Sequence, residues 1–311
     1  MARSKSQQLP TKRSPQPARP RNAPTPPPTV SGRWLLGAVV VAISAAAFCG
    51  WAVLCLLFWQ GSWQLLYHPA ATVAHTPASA GLDFNPVSFA VADTGAPQLQ
   101  GWWIAAKSGE GRYTVLYLHG QNGNLGDTLD DLTTLHNTGA NVLAFDYRGF
   151  GQSLFVHPSE AHWRQDTGWA ITYLSATRHI QAHSIIVAGS GLGANLALEV
   201  AAAHPDLAGV VLESPLNSAS NAIFDDPRAH LVPAHLLVSD RFELKPAAAA
   251  LRIPSLWMLS NPPTSRTGEP EIEQAYLAIT APKMRVSLAP APDTQKNFVD
   301  ALKRWLDDLH P

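Results

Sequence analysis

The stretch Gly189-Ser190-Gly191-Leu192-Gly193 carries the clearest chemical signal in this chain. An apolar run at residues 185–188 precedes it and reads as a buried strand, and an Ala/Leu-rich run at 194–203 follows and reads as a helix. Strand, glycine-punctuated turn and helix together match a nucleophile elbow, G-x-S-x-G, whose middle residue presents a hydroxyl at the top of the turn. The flanking glycines are needed because the turn is strained and the backbones of strand and helix approach closely. The middle residue here is Gly191, so the elbow is kept and its hydroxyl is missing.

In acyl-transfer chemistry that hydroxyl attacks a carbonyl, a histidine takes its proton and an acid orients the histidine. Ser190 is the alternative nucleophile. Reading it so sets Ala188 and Leu192 where the turn needs glycine, and a one-residue shift should aim the hydroxyl away from the oxyanion hole. The ordinary role for Ser190 is a strand-end residue with a backbone hydrogen bond. His119 heads the loop His119-Gly120-Gln121-Asn122-Gly123-Asn124 and is a candidate base, its ordinary role being loop architecture. His119, Gly120 and Gln121, with the Leu192 amide, make the candidate oxyanion-type pocket. Asp146 and Arg148 read as pins for a turn. Asp225, Asp226, His230 and His235 lack tight metal-ligand spacing, so no metal is expected there, and no cofactor is expected.

The elements that must position these residues alternate along the chain. Strands are predicted at 84–92, 98–105, 114–118, 141–145, 185–188, 209–212, 255–259 and 283–288. Helices are predicted at 126–137, 159–174, 194–203, 271–279 and 293–309, the second opening on a Ser-Glu start signal. The pattern implies an α/β fold, a mostly parallel sheet with helices on both faces, opened by an antiparallel hairpin.

Residues 1–33 hold seven basic side chains and no acid, so with a formal net charge of -1 for the whole chain the remainder carries -8. That balance argues against nucleic acid as a partner. Prolines crowd the same segment and favour an extended, disordered tail. Residues 34–59 form a charge-free apolar run with tryptophan at both ends, longer than the apolar region of a cleavable signal, about 7–15 residues. The expectation is an uncleaved single-pass anchor with its basic tail cytoplasmic and residues 60–311 across the membrane. Residues 60–77 read as a juxtamembrane linker whose Leu65, Leu66 and Tyr67 rest at the bilayer, and 78–311 as the folded domain. The only cysteines, Cys49 and Cys55, lie in the apolar run, so the rest of the chain has no disulfide and no thiolate site. The Ala-rich chain without long insertions points to a bacterial inner membrane.

Taken together, the chain resembles the membrane-anchored α/β-hydrolases with a serine-aminopeptidase-like or monoacylglycerol-lipase-like domain. The resemblance runs over residues 63–309 and rests on five runs in order: Leu66-Tyr-His-Pro69, Leu116-Tyr-Leu-His-Gly-Gln-Asn-Gly-Asn124, Phe145-Asp-Tyr-Arg-Gly-Phe-Gly-Gln-Ser153, Pro158-Ser-Glu160 with Asp166, and Glu213-Ser-Pro-Leu216 with Asp240-Arg-Phe-Glu243. It implies an α/β-hydrolase fold with a small cap, and a triad in the order Ser, acid, His. The nucleophile position matches Gly191. The acid position, after the strand at 255–259, reads Ser260-Asn-Pro-Pro-Thr-Ser-Arg266, without a carboxylate. The histidine position reads Ala289-Pro-Ala-Pro-Asp-Thr-Gln295, and no histidine stands between His235 and His310. The expectation is a non-catalytic, membrane-tethered hydrolase-fold protein whose pocket takes an acyl, ester or carboxylate ligand, or whose surface takes a protein partner. The alternative is a serine hydrolase acting on an acyl ester, thioester or peptide bond through Ser190.

Overall fold

The computed structural model describes residues 30–91, 95–107, 111–217, 219–260, 269–288 and 294–309. The expected basic tail lies, up to residue 29, outside the described residues. The chain divides into two units, residues 1–50 and 51–311. Helix α1 runs Gly32–Gly61, 30 residues without a charge after Arg33. At 1.5 Å per residue it rises ~45 Å against the ~30 Å of a hydrocarbon core, and it is apolar enough to cross a membrane.

Residues 51–311 are built on an eight-stranded sheet. Its strands are β1 (Asn85–Val91), β2 (Pro97–Ile104), β3 (Thr114–Leu118), β4 (Asn141–Asp146), β5 (Ile185–Ser190), β6 (Gly209–Glu213), β7 (Ser255–Ser260) and β8 (Lys283–Leu288). They lie in the order β8-β7-β6-β5-β3-β4-β2-β1. β1 pairs antiparallel with β2 and β2 with β4; all other pairs are parallel. Every residue of β3 and β4 is buried, as central strands covered on both faces require.

On one face α2 (Leu129–His136) and α9 (Thr294–Asp308) bring Leu132, Leu135, Phe298, Leu302 and Trp305 onto Val115, Tyr117, Ile186 and Val211. On the other lie α3 (Glu160–Thr172), α4 (Leu192–Ala203) and α7 (Leu244–Ala250), with Trp163, Leu196 and Ala248 against Leu116, Leu143 and Val187. The short helices α5 (Asn221–Phe224) and α6 (Ala234–Leu237) stand in the cap, and α8 (Glu269–Ala278) packs Ala275 into the second of these cores.

Residues 60–77 are not a loose connection. α1 continues to Gly61, a 3-10 turn follows at Ser62–Leu65, and Leu66 and Tyr67 are buried in the core instead of resting on a bilayer. The reason is a partner for the phenol: Tyr67 Oη donates to Asp240 Oδ2 at 2.6 Å. His68–Pro69 then pairs in parallel with Asn122–Gly123, satisfying loop backbone that would otherwise go unpaired. The predicted helix at 126–137 opens as a 3-10 turn, Leu125–Asp127, because Asn124 and Asp127 form a reciprocal capping box there.

Candidate functional site

The site is assembled at the carboxyl ends of the parallel strands, where open α/β sheets place their crevices. β5 ends at Ser190 and α4 begins at Leu192, so Gly191 alone makes the turn, at φ +57 and ψ −124. The glycines on either side are required by contact. A Cβ at Gly189 would overlap the carbonyl of Gly193, and one at Gly193 would overlap the carbonyls of Leu118 and His119. A Cβ at Gly191 meets only Gln121 Oε1, at 3.4 Å. The elbow therefore has room for a side chain where a nucleophile would stand, and no room at the two flanking positions.

Facing the elbow is the loop after β3. His68 N–H donates to the Gln121 carbonyl at 2.8 Å, and Ala70 N–H to the Gly123 carbonyl at 2.9 Å. Asn124 Nδ2 donates to the carbonyls of Ala70 and Thr72 at 3.0 and 2.8 Å. The loop is thus held from outside by the segment that follows α1. Its Gln121 side chain turns inward, and Oε1 accepts from the Leu192 backbone N–H at 3.3 Å. Leu192 follows the nucleophile position, the place from which a backbone N–H serves the oxyanion hole of a nucleophile elbow. Here that donor already has an acceptor within the chain.

His119 does not line this pocket with its ring. The side chain is fully buried and enclosed by Tyr147, Phe150 and Trp163, with ring centroids 4.6, 5.1 and 6.2 Å away. Nδ1 lies 2.8 Å from the Gly120 carbonyl, which places the proton there, and Nε2 has no hydrogen-bond partner. Nε2 is 3.6 Å from Asp146 Oδ1, but burial lowers the imidazole to about 4 and raises the carboxyl to about 7. Between those values both groups are uncharged, so the contact is a neutral one and not an ion pair. A ring sealed from solvent has no route to a substrate proton, and the expectation that His119 is a base gives way to its architectural role. Asp146 accepts from the Leu125 N–H at 2.9 Å, tying the turn after β4 to the loop after β3.

Arg148 pins the same turn. Nε donates to Asp166 Oδ1 at 2.6 Å, its backbone N–H to Oδ2 at 2.9 Å, and its guanidinium lies 4.6 Å over Trp169. Ser159 caps α3 by accepting from the His162 N–H at 3.2 Å, which sets Asp166 at the right height to reach Arg148.

Ser190 lies beside Glu213 in the β5–β6 register, and its hydroxyl hydrogen-bonds the Glu213 carboxyl. Period-two alternation puts both on the face of Ala188 and Val211, toward α2 and α9. Glu213 is held well above the usual carboxylate range by burial and by neighbouring Asp131, which in turn accepts from Tyr117 Oη. Sequence reasoning missed the Ser190–Glu213 pair; the signal that could have found it is two polar residues ending adjacent apolar strands. The positions expected for the acid and the histidine fall mostly within 261–268 and 289–293, outside the described residues.

In the cap, Asp226 pairs with Arg228 at 2.8 Å and His235 stacks on Phe224 at 4.2 Å. Among the described residues no group of three or more His, Cys, Asp or Glu could hold a metal. Among the described residues, two cavities lie away from the elbow. One of about 760 Å³ opens beside Arg112, Ser184 and Trp305 at the amino ends of the strands. One of about 600 Å³ opens beside Glu160, Arg164 and Arg241.

Comparison with known proteins agrees with this architecture. The family model for serine aminopeptidase, S33, matches residues 109–263. An uncharacterized protein of Mycobacterium tuberculosis is 31% identical over 182 residues, 58% of this chain and 61% of its own length. The uncharacterized protein YfhR of Salmonella typhi is 31% identical over 133 residues, 42% of this chain and 43% of its own. Protein bem46 of Schizosaccharomyces pombe is 30% identical over 122 residues, 39% and 40%. The chain thus spans less than two thirds of these relatives. Among solved structures, the esterase Pf2001 of Pyrococcus furiosus superposes with a TM-score of 0.58 at 19% identity, over 78% of this chain and 97% of that one. An α/β-hydrolase of Vibrio vulnificus does so with 0.55 at 21%, over 68% and 77%.

Proposed function

We propose that this chain, which has the α/β-hydrolase fold and a serine aminopeptidase S33-type domain, is a membrane-anchored, non-catalytic protein that keeps the elbow as a binding site. The observation that carries the reading is Gly191: the turn retains its backbone and its flanking glycines and lacks the attacking hydroxyl. The absence of a carboxylate at 260–266 and of a histidine at 289–295 supports it. Without nucleophile and base, binding and oxyanion stabilisation leave roughly 10³–10⁴-fold over water. That is far below what turnover of a slow acyl transfer needs. The ligand that suits the site is an acyl, ester or carboxylate group whose oxygen displaces Gln121 Oε1 from the Leu192 N–H.

The apolar helix and the basic residues before it support an anchor with the N-terminus cytoplasmic and the domain outside, and the Ala-rich sequence without long insertions supports a bacterial inner membrane. An alkaline phosphatase fused after Pro311 should be active; activity only of a cytoplasmic reporter would overturn the orientation.

The second reading makes Ser190 a displaced nucleophile. What favours it is the Glu213 carboxyl on its hydroxyl; what opposes it is the direction of that hydroxyl, toward α2 and α9 and away from the Leu192 N–H. The test is fluorophosphonate labelling and p-nitrophenyl ester hydrolysis by the full-length protein and by Ser190→Ala. Neither should show serine-dependent signal. Wild-type turnover that vanishes in Ser190→Ala would establish the second reading.

A further inference from the structure

The final turns of α1 are not free of the folded domain. Trp51, Leu54, Cys55 and Phe58 follow the i, i+3, i+4, i+7 spacing of one helix face. Phe58 is buried, Leu54 and Cys55 pack on the same core, and Trp51 Nε1 donates to the Leu231 carbonyl of the cap at 3.1 Å. Next to that contact the cap turns apolar side chains outward: Leu231 is 60% and Leu236 86% exposed. On its other face the same length of helix presents Val53, Leu56, Leu57 and Trp59, each more than half exposed, and no charge.

We infer that the cap tip, Leu231 and Leu236, is embedded in the interfacial layer of the bilayer that α1 crosses. The inference rests on the membrane-anchor reading and goes beyond it. An unpartnered helix face carrying Val53, Leu56 and Leu57 belongs in lipid and not in water. The cap backbone at Leu231 is hydrogen-bonded to Trp51, one turn before that apolar face, and ten residues or ~15 Å of helix before Gly61. What surrounds the helix at Trp51 therefore surrounds Leu231 too. Tryptophan with its N–H satisfied by a protein carbonyl is suited to the boundary between headgroups and chains. Leu236 stands beside the exposed His235 and Leu231 beside the exposed His230, the mixture of apolar and polar tips that an interfacial segment carries. The occupant is fixed by covalent continuity: the same chain that supplies the patch supplies the helix next to it. The consequence is that the cap reaches the lipid surface directly, and an amphiphilic acyl ligand need not cross water to meet it.

The test uses full-length protein carrying Cys49→Ala and Cys55→Ala, with a single environment-sensitive fluorophore on Leu236→Cys or, as reference, on Gln181→Cys. Gln181 is exposed at the amino end of β5, at the opposite edge of the sheet from the elbow. The proteins are reconstituted into phosphatidylcholine/phosphatidylglycerol vesicles with and without nitroxide-labelled phospholipid. We expect co-flotation of both, a blue-shifted emission at 236 that the lipid nitroxide quenches, and no quenching at 181. Co-flotation with 236 as unquenched as 181 would overturn the inference and leave the anchor standing. Failure to co-float would overturn both. An unquenched 236 that crosslinks to a second copy would assign the patch to a dimer and also overturn it. A fluorophore that disturbs the cap is controlled by Leu231→Cys, labelled likewise, which should report the same quenching.

Discussion

The backbone N–H of Leu192 donates to Gln121 Oε1 across 3.3 Å, so the donor that would stabilise an oxyanion is satisfied by the protein's own side chain. Both partners are positioned by backbone outside themselves: Leu192 by the start of α4, Gln121 by the His68 N–H on its carbonyl. A site poised for turnover would leave that N–H to the reacting carbonyl. Removing the acceptor should therefore open the site without making it an enzyme. Gln121→Ala should lose about 0.5–1.5 kcal/mol of stability, the usual net value of one hydrogen bond, and gain no esterase activity. Thermal unfolding and p-nitrophenyl ester assays measure the two halves.

Restoring the hydroxyl separates fold from chemistry. Gly191→Ser should fold, at a cost of about 1–3 kcal/mol for a side chain at positive φ, since its Cβ meets only Gln121 Oε1. It should not label with fluorophosphonate, because the sequence has no histidine between His235 and His310, where the base of such an elbow is expected. Labelling of Gly191→Ser but not of wild type would mean that a base is present in the fold after all.

The neighbouring glycines should behave differently. Gly189→Ala and Gly193→Ala each force a methyl into backbone carbonyls that cannot move without separating β5, α4 and β3. Each should cost more than Gly191→Ser, of order 4 kcal/mol or above, in the range reserved for backbone and overpacking faults. Comparison of the three melting temperatures checks the order.

Arg148 and Asp166 form a buried pair beneath the turn after β4. Arg148→Met leaves the fully buried Asp166 without its cation and should destabilise by about 3–5 kcal/mol. Arg148→Met with Asp166→Leu should recover part of that loss, as a double-mutant cycle in denaturant would read.

His119 and Asp146 set opposing pH dependences. The folded imidazole, at about 4 against an ordinary 6.5, binds fewer protons than the unfolded one, so its contribution to stability rises with pH from about 4 to 6.5. The folded carboxyl, at about 7 against 3.8, binds more protons than the unfolded one. Its contribution is greatest below 3.8 and is lost as pH rises to 7. In the wild type the two slopes oppose each other between 4 and 6.5. Asp146→Asn removes the falling one, so its stability should rise with pH across that window more steeply than the wild type's. Urea midpoints at pH 4.5, 5.5 and 6.5 test the sign.

Much of this protein was legible in one dimension. The alternation of apolar runs with helical periodicity determines an α/β sheet, because a strand buried on both faces needs an unbroken apolar run and the covering helices need a stripe. The glycines at 189 and 193 and the missing hydroxyl at 191 are visible as letters, and the elbow they form follows from sterics local to five residues. The apolar length of α1 is equally local. Tertiary structure decided what distance in sequence conceals. The Leu66–Pro69 run became a clamp on the loop after β3 because an exposed backbone edge 54 residues away needed partners. His119 proved sealed, since its aromatic cage comes from Tyr147, Phe150 and Trp163, on the turn after β4 and on α3. Gln121 reached the Leu192 N–H across 71 residues, and Leu231 reached Trp51 across 180. Such contacts depend on where whole elements pack, and hydrogen-bond satisfaction in a buried or apolar setting selects the partner only after packing has brought the candidates within reach.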